Sequence, residues 1–444
     1  MTCKLRFAPS PTGELHVGNA RTALVNFLFA KSNNGILLLR IDDTDKERSE
    51  KKFEESIKND LLWLGIKWDM MDRQSNRFEN YTNAIKILEE NGRAYRCYET
   101  PEELSLRRKS QLMSGRPPVY DRQALNLTEK DHLKFEKMGK KAHWRFKLIH
   151  EDVTWNDMIR GECNYNMSSL SDPVIMREDG KPIYTLASVI DDIDHKITHI
   201  IRGEDHVTNS AAQIQLFDAL GAKPPKLGHL SLLSGSEGEG LSKRIGSLSL
   251  GSIKEKNIEN ISLVSMLSSI GTSQSITHFG NIDSIIEKFD INNFSRNTAK
   301  FDINELFQIN QKVLQNYGFS EVERKLNIMD DNVSEVFWDN VKGNLDTFPE
   351  IETWVKVVYG EIIPIIEDER LMNFALNSLP KNIDELTWRE WTKAITDASG
   401  IKGKELYLSL RKALTGLASG PELANLLPII GKQKIISRLN GEKS

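Results

Sequence analysis

The sequence is poor in cysteine and has no long apolar run. Its three cysteines, Cys3, Cys97 and Cys163, are too few for a disulfide framework, which excludes a disulfide-stabilised secreted protein and favours a reducing compartment. No stretch approaches the roughly 18 consecutive apolar residues of a membrane-spanning helix. Residues 1–13 also lack the apolar core of a signal peptide. We therefore expect a cytoplasmic protein without a membrane segment.

The chain also lacks an excess of basic residues. Its 444 residues include 59 Lys or Arg and 63 Asp or Glu, which gives a formal net charge of −4. Proteins that bind nucleic acid usually present a basic surface, so this charge argues weakly against such a partner. Hydrophobic residues make up 39% of the chain, which is enough to build cores and excludes wholesale disorder. At about 150 residues per domain, the length suggests about three domains.

Strand and helix patterns alternate in the first part of the chain. Apolar and polar residues alternate over 4–8, and residues 36–41 form a nearly continuous apolar run typical of a buried parallel strand. Amphipathic helices are predicted over 20–28, 49–62 and 78–90, where apolar side chains recur at three- and four-residue spacing. This order is typical of an α/β fold with a parallel sheet.

The pattern changes twice farther along the chain. Residues 100–171 mix charged helical stretches with isolated aromatic residues, which indicates an insert in the sheet domain. Alternation returns over 173–176, 183–190 and 197–202 and predicts strands there. Beyond about residue 301 helical periodicity dominates, so we expect an α-helical C-terminal half.

A first candidate for chemistry is the segment 9–19, Pro-Ser-Pro-Thr-Gly-Glu-Leu-His-Val-Gly-Asn, between a predicted strand and a predicted helix. His16 and Gly18 would stand at a helix N-terminus, where unpaired backbone N–H groups and the helix dipole favour a phosphate. An imidazole there can donate a hydrogen bond to phosphate oxygens as charge develops. Taken alone the pattern is common, and a surface histidine beside a turn glycine is the simpler interpretation.

A second candidate is a lysine in a loop rich in glycine and serine. Residues 234–251 form this loop, and Lys243 within it could move onto a triphosphate and neutralise it. In isolation, a solvated Lys–Arg pair is the simpler interpretation. Residues 235–242 nearly match a phosphate-binding loop, but Leu241 stands at the lysine position, which excludes a P-loop ATPase.

Charged residues follow several of the predicted strands. The acidic clusters at 42–45 and 191–195 more often cap helices or form turns than bind a metal, and no His or Cys set completes a coordination shell. We therefore predict no metal site. Arg202, Glu204 and Asp205 stand at the end of the last returning strand, where ligands gather in α/β sheets; a surface salt-bridge cluster is the alternative.

Taken together and in order, these elements resemble the bacterial-type glutamyl-tRNA synthetases, which are class I aminoacyl-tRNA synthetases. The resemblance is carried by residues 6–13, 16–24, 39–45, 184–192, 197–206 and 241–244, and more weakly by 410–416 and 420–423. It implies a Rossmann-like parallel-sheet catalytic domain with an inserted acceptor-binding domain, followed by an α-helical anticodon-binding half. The implied bounds are 1–99 and 172–240 for the catalytic domain, 100–171 for the insert, 241–305 for the lysine loop and stem-contact region, and 306–444 for the helical domain.

The resemblance also implies a reaction. ATP and L-glutamate would form glutamyl-adenylate, and the glutamyl group would pass to the 3′-terminal adenosine of tRNA(Glu), with tRNA(Gln) left open as a second acceptor. Mg²⁺ would accompany ATP, and a monomer is the family habit. Catalysis would rest on positioning and electrostatics, because no covalent enzyme intermediate is needed.

The resemblance further assigns site residues. Those assigned to ATP are His16, Gly18, Asn19, Glu204, Asp205, Lys243 and Arg244, of which His16, Gly18 and Lys243 are also assigned to catalysis. Those assigned to glutamate are Arg6, Ala8, Ser10, Asp42, Tyr184 and Arg202. A planar guanidinium suits a carboxylate, so Arg6 and Arg202 are expected on the γ-carboxylate. The α-ammonium group is expected opposite Asp42.

Three positions depart from the family pattern. Asp42 stands where many relatives have glutamate; its side chain is one methylene shorter, so a contact through water is an option there. Gly240 replaces the usual lysine, which leaves Lys243 to supply most of the charge. Of a zinc-binding cysteine set found in some relatives only Cys97 is present, so we predict no zinc.

Other functions fit part of the pattern. A glutaminyl-tRNA synthetase would read Pro-Glu-Pro-Asn where residues 9–12 read Pro-Ser-Pro-Thr. A truncated relative that glutamylates a base of tRNA(Asp) would lack the helical half, and a small-molecule adenylyltransferase would need neither that half nor the insert. A non-catalytic RNA-binding paralogue should have lost His16, Lys243 or Arg6, and all three are present.

Overall fold

Strands and helices alternate through the first part of the chain, as its hydrophobic periodicity predicts. The computed structural model describes residues 2–235, 248–384 and 386–444. The strands are β1 Lys4–Phe7, β2 Ile36–Ile41, β3 Met70–Arg73, β4 Ala94–Cys97, β5 His143–Phe146, β6 Asp152–Asp157, β7 Gly161–Asn166, β8 Val174–Met176, β9 His199–Gly203, β10 Lys226–Leu230, β11 Leu233–Gly235 and β12 Ala299–Phe301.

The helices follow the same order along the chain. They are α1 Val17–Ser32, α2 Lys51–Trp63, α3 Phe78–Glu90, α4 Pro101–Met113, α5 Glu129–Lys137, α6 Tyr184–Asp194, α7 Val207–Ala219, α8 Leu250–Glu255, α9 Asn260–Ser269, α10 Ile282–Lys288, α11 Ile303–Asn316, α12 Phe319–Met329, α13 Glu335–Val341, α14 Ile351–Val358, α15 Glu369–Asn377, α16 Thr387–Ser399, α17 Gly403–Thr415, α18 Leu423–Ile430 and α19 Lys432–Leu439. Among the described residues, no helix combines the length and apolar character that a membrane span requires.

The chain divides into two units. The first holds Met1–Ile253, Leu263–Thr277 and Asn281–Asp302, and the second holds Lys254–Ser262, His278–Gly280 and Ile303–Ser444. Parallel strands lie in the first unit, and the part of the second unit that the structure describes is helical. The predicted architecture, a parallel-sheet domain followed by a helical half, is therefore confirmed. The finer bounds at residues 99, 171, 240 and 305 stay predictions.

Parallel strands form the centre of the first unit. β1 pairs with β2, β2 with β3, and β9 with β10, all in parallel. The backbone N–H of Thr198, just before β9, donates to the carbonyl of Lys4 at the start of β1, at 2.9 Å. Both strands therefore start at the same end of the sheet. Their carboxyl ends meet at the opposite edge, which is where ligands bind in such folds.

Helix α1 covers this sheet and is buried on most of its surface. Eleven of its 16 residues are buried, which requires an apolar sequence on more than one face. Arg21 and Asn26 are the polar exceptions, and the Arg21 guanidinium donates to the carbonyls of Ser231 at 2.7 Å and Ile270 at 3.1 Å. These bonds tie α1 to the chain after β10 and to the end of α9.

An antiparallel sheet and a hairpin lie in and around the predicted insert; β5, β6 and β7 fall within residues 100–171, whereas β4 and β8 fall just outside. β4 pairs with β5, β5 pairs with β8, and β6 and β7 form a hairpin. Helix α4 begins with a capping box, in which Thr100 and Glu103 bond each other's backbone, and Pro101 occupies its first turn. The helix buries none of its residues, so its charged face is open to solvent.

One predicted strand is wrong. Residues 183–190 form the start of helix α6, in which Leu186, Ala187 and the following residues through Asp192 are buried. A short apolar run is compatible with either a buried strand or a buried helix, and tertiary packing decides between them. As a consequence, the acidic cluster at 191–195 ends a helix and does not follow a strand.

The second unit is built on two buried tryptophans. Trp338 and Trp391 are fully buried, and their indole N–H groups donate to the carbonyls of Tyr317 at 2.9 Å and Ala375 at 2.8 Å. Apolar residues from α12 through α19 pack around them. Each indole is therefore both the largest apolar group of this core and a satisfied donor.

Gly420 packs directly against the side chain of Trp354 in this unit. Gly420 has φ +141°, and a Cβ there would lie 1.9 Å from Cη2 of Trp354. We expect Gly420→Ala to lower the free energy of unfolding by about 2–5 kcal/mol, through overpacking and backbone strain. Gly343→Ala, where no atom lies within 4 Å, is the matched control and should change it by less than about 0.5 kcal/mol. Denaturant unfolding of the full chain measures both, and equal midpoints would contradict the prediction.

Candidate functional site

Three predicted site residues lie at the carboxyl edge of the parallel sheet. Arg6 is on β1, Arg202 is on β9 and Asp42 directly follows β2. All three are buried, with exposed fractions of 4%, 5% and 7%. The backbone N–H of Asp42 donates to the carbonyl of Pro9 at 3.0 Å, which puts the loop containing Ala8 and Ser10 next to it.

Arg6 is held from one side only. Its Nε donates to both carboxylate oxygens of Asp192, at 3.1 and 3.3 Å. Within the described chain, neither terminal nitrogen of Arg6 has a hydrogen-bond partner. Asp192 therefore orients the guanidinium of Arg6 and leaves its two terminal nitrogens, Nη1 and Nη2, able to bind a carboxylate.

Arg202 is surrounded by neutral acceptors. Its Nη1 donates to the Tyr184 hydroxyl at 2.8 Å, and its Nη2 donates to Ser210 Oγ at 2.7 Å and to Gln213 Oε1 at 2.6 Å. Its Nε lies 3.4 Å from Nε2 of His229. No carboxylate of a described residue forms an ion pair with it. A buried cation without a counter-ion is costly, so this site favours an anionic ligand.

The charges of both arginines act on the pKa of one histidine, His206. The ring of His206 lies 5.2 Å from that of Tyr184. Burial, then the charge of Arg202 and more weakly that of Arg6, lower the pKa of His206. His206 is therefore neutral near pH 7 and does not compete with the arginines for an anion.

Arg40 lies beneath these residues and is completely buried. It makes a bidentate pair with Asp42, at 2.7 and 3.0 Å, and its Nη1 donates to Asp192 at 3.0 Å. Asp191 lies 3.6 Å from its Nε and also accepts from Arg77 at 2.7 Å. Arginines thus neutralise Asp42, Asp191 and Asp192, which belong to the two acidic clusters.

Burial affects the pKa of Asp42 more strongly than the neighbouring charge of Arg40 does. It raises the pKa of the Asp42 carboxyl to about 6, although the charge of Arg40 lowers it. Both carboxylate oxygens already accept from Arg40, and each keeps a lone pair for another donor. The carboxyl group can therefore bind an ammonium group in its ionised form and loses that ability as it is protonated.

The phosphate-binding prediction concerns the start of α1. His16 is the N-cap residue of this helix, and its Nδ1 accepts the backbone N–H of Gly18 at 3.1 Å. In the neutral imidazole Nε2 then carries the proton and can donate to a phosphate oxygen. The first turn contains no acidic residue, so the helix dipole is available to an anion, with Asn19 exposed on that turn.

Two further ATP candidates lie after β9. The carboxylate of Glu204 accepts from Arg160 at 2.5 Å and from the backbone N–H of Leu232 at 3.1 Å. Asp205 is exposed, and its carboxylate lies 3.7 Å from His206. Glu204 thus fixes the chain between β10 and β11, whereas Asp205 is open to a ligand.

Lys243 and Arg244, together with Gly240, lie outside the described residues. The chain that follows them is described, and it returns to the start of α1. The N–H of Val17 donates to the carbonyl of Leu248 at 3.2 Å, and the N–H of Leu250 donates to the carbonyl of Leu15 at 2.9 Å. Leu248 is only five positions beyond Lys243 in the sequence. Leu248 and Leu250, which follow the predicted catalytic lysine in the sequence, therefore lie beside the start of α1.

Among the described residues, one group of side chains could hold a metal ion. The ligand atoms of Cys97, Glu99 and His143 lie within 4.8 Å of one another, and Glu99 Oε2 and His143 Nε2 are buried without a partner. A structural zinc site takes four ligands, so this set is one short. Arg107 also lies 3.4 Å from Glu99, and its charge opposes a cation. The absence of zinc stays our prediction.

Sequence reasoning missed the residues that hold the two arginines. Asp192 belongs to the acidic cluster at 191–195, whose sequence pattern alone indicates a helix cap or a turn. Asp157 and His229 lie 72 positions apart and pair at 2.5 Å, which leaves no local pattern. A histidine inside the apolar stretch 227–233 was an available signal, because a buried histidine needs a partner.

Comparisons with known protein families match most of the chain. Residues 2–308 match the family model for tRNA synthetases class I (E and Q), catalytic domain. Residues 329–441 match the model for an anticodon binding domain.

Curated relatives and solved structures agree with these matches. The chain is 48% identical over 441 residues to glutamate–tRNA ligase 1 of Maricaulis maris, with 99% of each chain covered. It is 48% identical over 442 residues to glutamate–tRNA ligase 2 of Beijerinckia indica, with 98% of each covered. A crystal structure of a glutamate tRNA ligase from Elizabethkingia meningosepticum, in complex with its amino acid, superposes with a TM-score of 0.86 at 28% identity and 99% coverage of each chain.

Because the pKa of Asp42 is raised, we expect kcat/KM for an α-amino acid substrate to decrease at acidic pH. With a pKa of about 6, kcat/KM for glutamate should fall about tenfold per pH unit below pH 6, because a protonated carboxyl would no longer attract the α-ammonium group that we expect opposite Asp42. The side-chain carboxyl of glutamate has a lower pKa, about 4.3. Asp42→Asn should give a low rate that is flat across this range. The same acid limb in Asp42→Asn would assign it to another group.

Proposed function

The chain belongs to the glutamate–tRNA ligase family of class I aminoacyl-tRNA synthetases, and we propose that it joins L-glutamate to tRNA(Glu) with ATP as the activating substrate. A glutamate carboxylate oxygen attacks the α-phosphorus of ATP, and pyrophosphate leaves. The 3′-terminal adenosine of tRNA then attacks the glutamyl-adenylate, and AMP leaves. The observation that carries the choice of an acidic substrate is the buried Arg202, which has neutral partners only.

We assign the glutamate pocket to Arg6, Ala8, Ser10, Asp42, Tyr184 and Arg202. The γ-carboxylate lies between the free end of Arg6 and the remaining N–H of Arg202, and Tyr184 orients Arg202. Asp42 faces the α-ammonium group. A neutral glutamine side chain would leave Arg202 without a counter-ion in direct contact, which disfavours glutamine.

We assign the ATP site to the start of α1 and the chain that returns to it. His16, Gly18 and Asn19 bind the nucleotide at the helix N-terminus, and Asp205 and Glu204 border it from the end of β9. Lys243 and Arg244 neutralise the phosphates as pyrophosphate leaves, so that His16, Gly18 and Lys243 act on the transition state. Mg²⁺ enters with ATP, held mainly by phosphate oxygens.

The remaining assignments concern tRNA and the cell. Residues 100–171 contact the acceptor stem, residues 241–305 contact the stem beyond it, and residues 306–444 bind the anticodon arm. The match of residues 329–441 to an anticodon binding domain supports the last of these assignments. We further propose a cytoplasmic monomer, in keeping with the family resemblance. tRNA(Gln) is the open alternative as an acceptor.

The acceptor is tested by charging purified tRNA(Glu) and tRNA(Gln) side by side with labelled glutamate. We expect charging of tRNA(Glu), because the curated relatives reported above are glutamate–tRNA ligases. Labelled glutamine is the control, and we expect none of it to be transferred to either tRNA. Transfer of glutamine would favour a glutaminyl-tRNA synthetase, and transfer to tRNA(Gln) alone would overturn the proposed acceptor.

The catalytic role of Lys243 predicts a selective loss. Lys243→Ala should lower ATP–pyrophosphate exchange, measured with tRNA(Glu) present, by about 100-fold or more, because a cation that stabilises the leaving phosphates is lost. tRNA binding should change little. Lys223→Ala, at an exposed lysine between α7 and β10, is the matched control. Exchange at the wild-type rate in Lys243→Ala would refute the assignment.

A further inference from the structure

A chain of hydrogen bonds leads from Arg202 to a buried carboxylate. Nη2 of Arg202 lies 2.7 Å from Ser210 Oγ, and that oxygen lies 2.8 Å from Nε2 of His229. On the other side of the ring, Nδ1 lies 2.5 Å from Oδ2 of Asp157. The side chains of His229 and Asp157 are completely buried, and Ser210 is 1% exposed.

Asp157 is an anion in this chain. Its Oδ1 accepts the backbone N–H groups of Ile159, Arg160 and His229, at 3.1, 3.0 and 3.1 Å. Its Oδ2 accepts from the His229 ring. These donors hold the pKa of Asp157 at about 2, although burial alone would raise it. A carboxylate with so many donors is ionised at neutral pH and rigidly placed.

The direction of every bond follows from that charge. The anion can only accept, so His229 donates its Nδ1–H to Asp157. Burial lowers the pKa of His229, and the neutral ring then offers Nε2 as an acceptor. Ser210 therefore donates its single O–H to Nε2, at 2.8 Å, in preference to the more distant carbonyl of His206, at 3.2 Å. The Ser210 oxygen accepts the Nη2–H of Arg202, whose Nε also lies 3.4 Å from the same Nε2. All the donors point from the cation toward the anion.

We propose that Ser210, His229 and Asp157 are positioning residues that give Arg202 a remote counter-charge. The carboxylate offsets part of the guanidinium charge through His229 and Ser210 without touching Arg202, and the rest is left for an anionic ligand. A carboxylate in direct contact would occupy the N–H groups that a substrate carboxylate needs. The relay therefore holds Arg202 in one orientation and leaves it open to the glutamate side chain. This inference rests on the glutamate specificity proposed above.

The relay also has a defined place in the fold. Asp157 is the last residue of β6, and the next residue, Met158, donates its N–H to the carbonyl of Leu227 on β10 at 2.8 Å. The tip of the β6–β7 hairpin is thereby fixed on the strand that carries His229. A residue of the predicted insert is therefore part of the support of the glutamate pocket.

The test compares Ser210→Ala, Ser210→Thr and Asp157→Asn by steady-state kinetics of full-length enzyme. We expect Ser210→Ala and Asp157→Asn to raise KM for glutamate about 10- to 100-fold, because a charge-assisted hydrogen bond to Arg202 is lost or reversed. KM for ATP should stay within about twofold. Ser210→Thr keeps the hydroxyl and should restore KM for glutamate to within about threefold of wild type.

Two matched controls separate positioning from general damage. Ser262→Ala removes another buried hydroxyl, which donates to Asn310 at 2.8 Å, and Asp172→Asn neutralises another buried aspartate, which accepts from Arg122 at 2.7 Å. Neither residue bonds to Arg202, so both variants should keep the wild-type KM for glutamate. Thermal unfolding of all variants shows which are folded. If Asp157→Asn does not fold, the Ser210 pair decides.

The outcomes are distinguishable. A wild-type KM for glutamate in folded Ser210→Ala, or equal increases in KM for glutamate and ATP, would overturn the relay and leave the proposed function intact. If the wild-type enzyme activates a different acidic amino acid, the proposed substrate is wrong, and the same variants decide the relay on that substrate. A wild-type enzyme that activates no acidic amino acid would overturn both.

Discussion

The completely buried guanidinium of Arg40 is the interaction on which the geometry of the site depends. It joins Asp42, at the end of its own strand, to Asp192 on α6, and Asp192 in turn orients Arg6 on β1. Removing one partner of such a buried network typically costs about 3–5 kcal/mol, because an uncompensated charge stays behind. Two strands and a helix are therefore held in one register by buried charges, and only Arg40 and Asp192 among them are not assigned to a ligand.

The two arginines of the proposed glutamate pocket are held in different ways. Arg6 has a direct carboxylate partner on its Nε, which leaves its terminal nitrogens available. Arg202 has four neutral partners, and its counter-charge, Asp157, lies at the end of a relay. Both arrangements fix a guanidinium without occupying all of its donors. A rigid site of this kind binds a carboxylate without first breaking an ion pair.

The sequence predicted much of the fold and of the site. Apolar periodicity located the first strands and helices, because a sheet covered on both faces needs such runs. Motif order identified the family before any geometry was known. Periodicity was wrong for residues 183–190, where a short apolar run became a helix. The net charge of −4 was also a poor guide to the proposed tRNA partner, since it describes an average surface and the arginines of the site are local and buried.

What the sequence determined by itself was the set of reactive groups and their order along the chain. Arg6, His16, Asp42 and Arg202 could be singled out because each belongs to a local motif beside a strand or a helix start. Only the tertiary structure decided which groups support them. Asp157 and His229 come from strands far apart in the chain, and Asp192 from the end of a helix. Their pairing with serine and arginine side chains is a consequence of packing, and distances of about 3 Å between remote segments leave no periodic trace in a sequence.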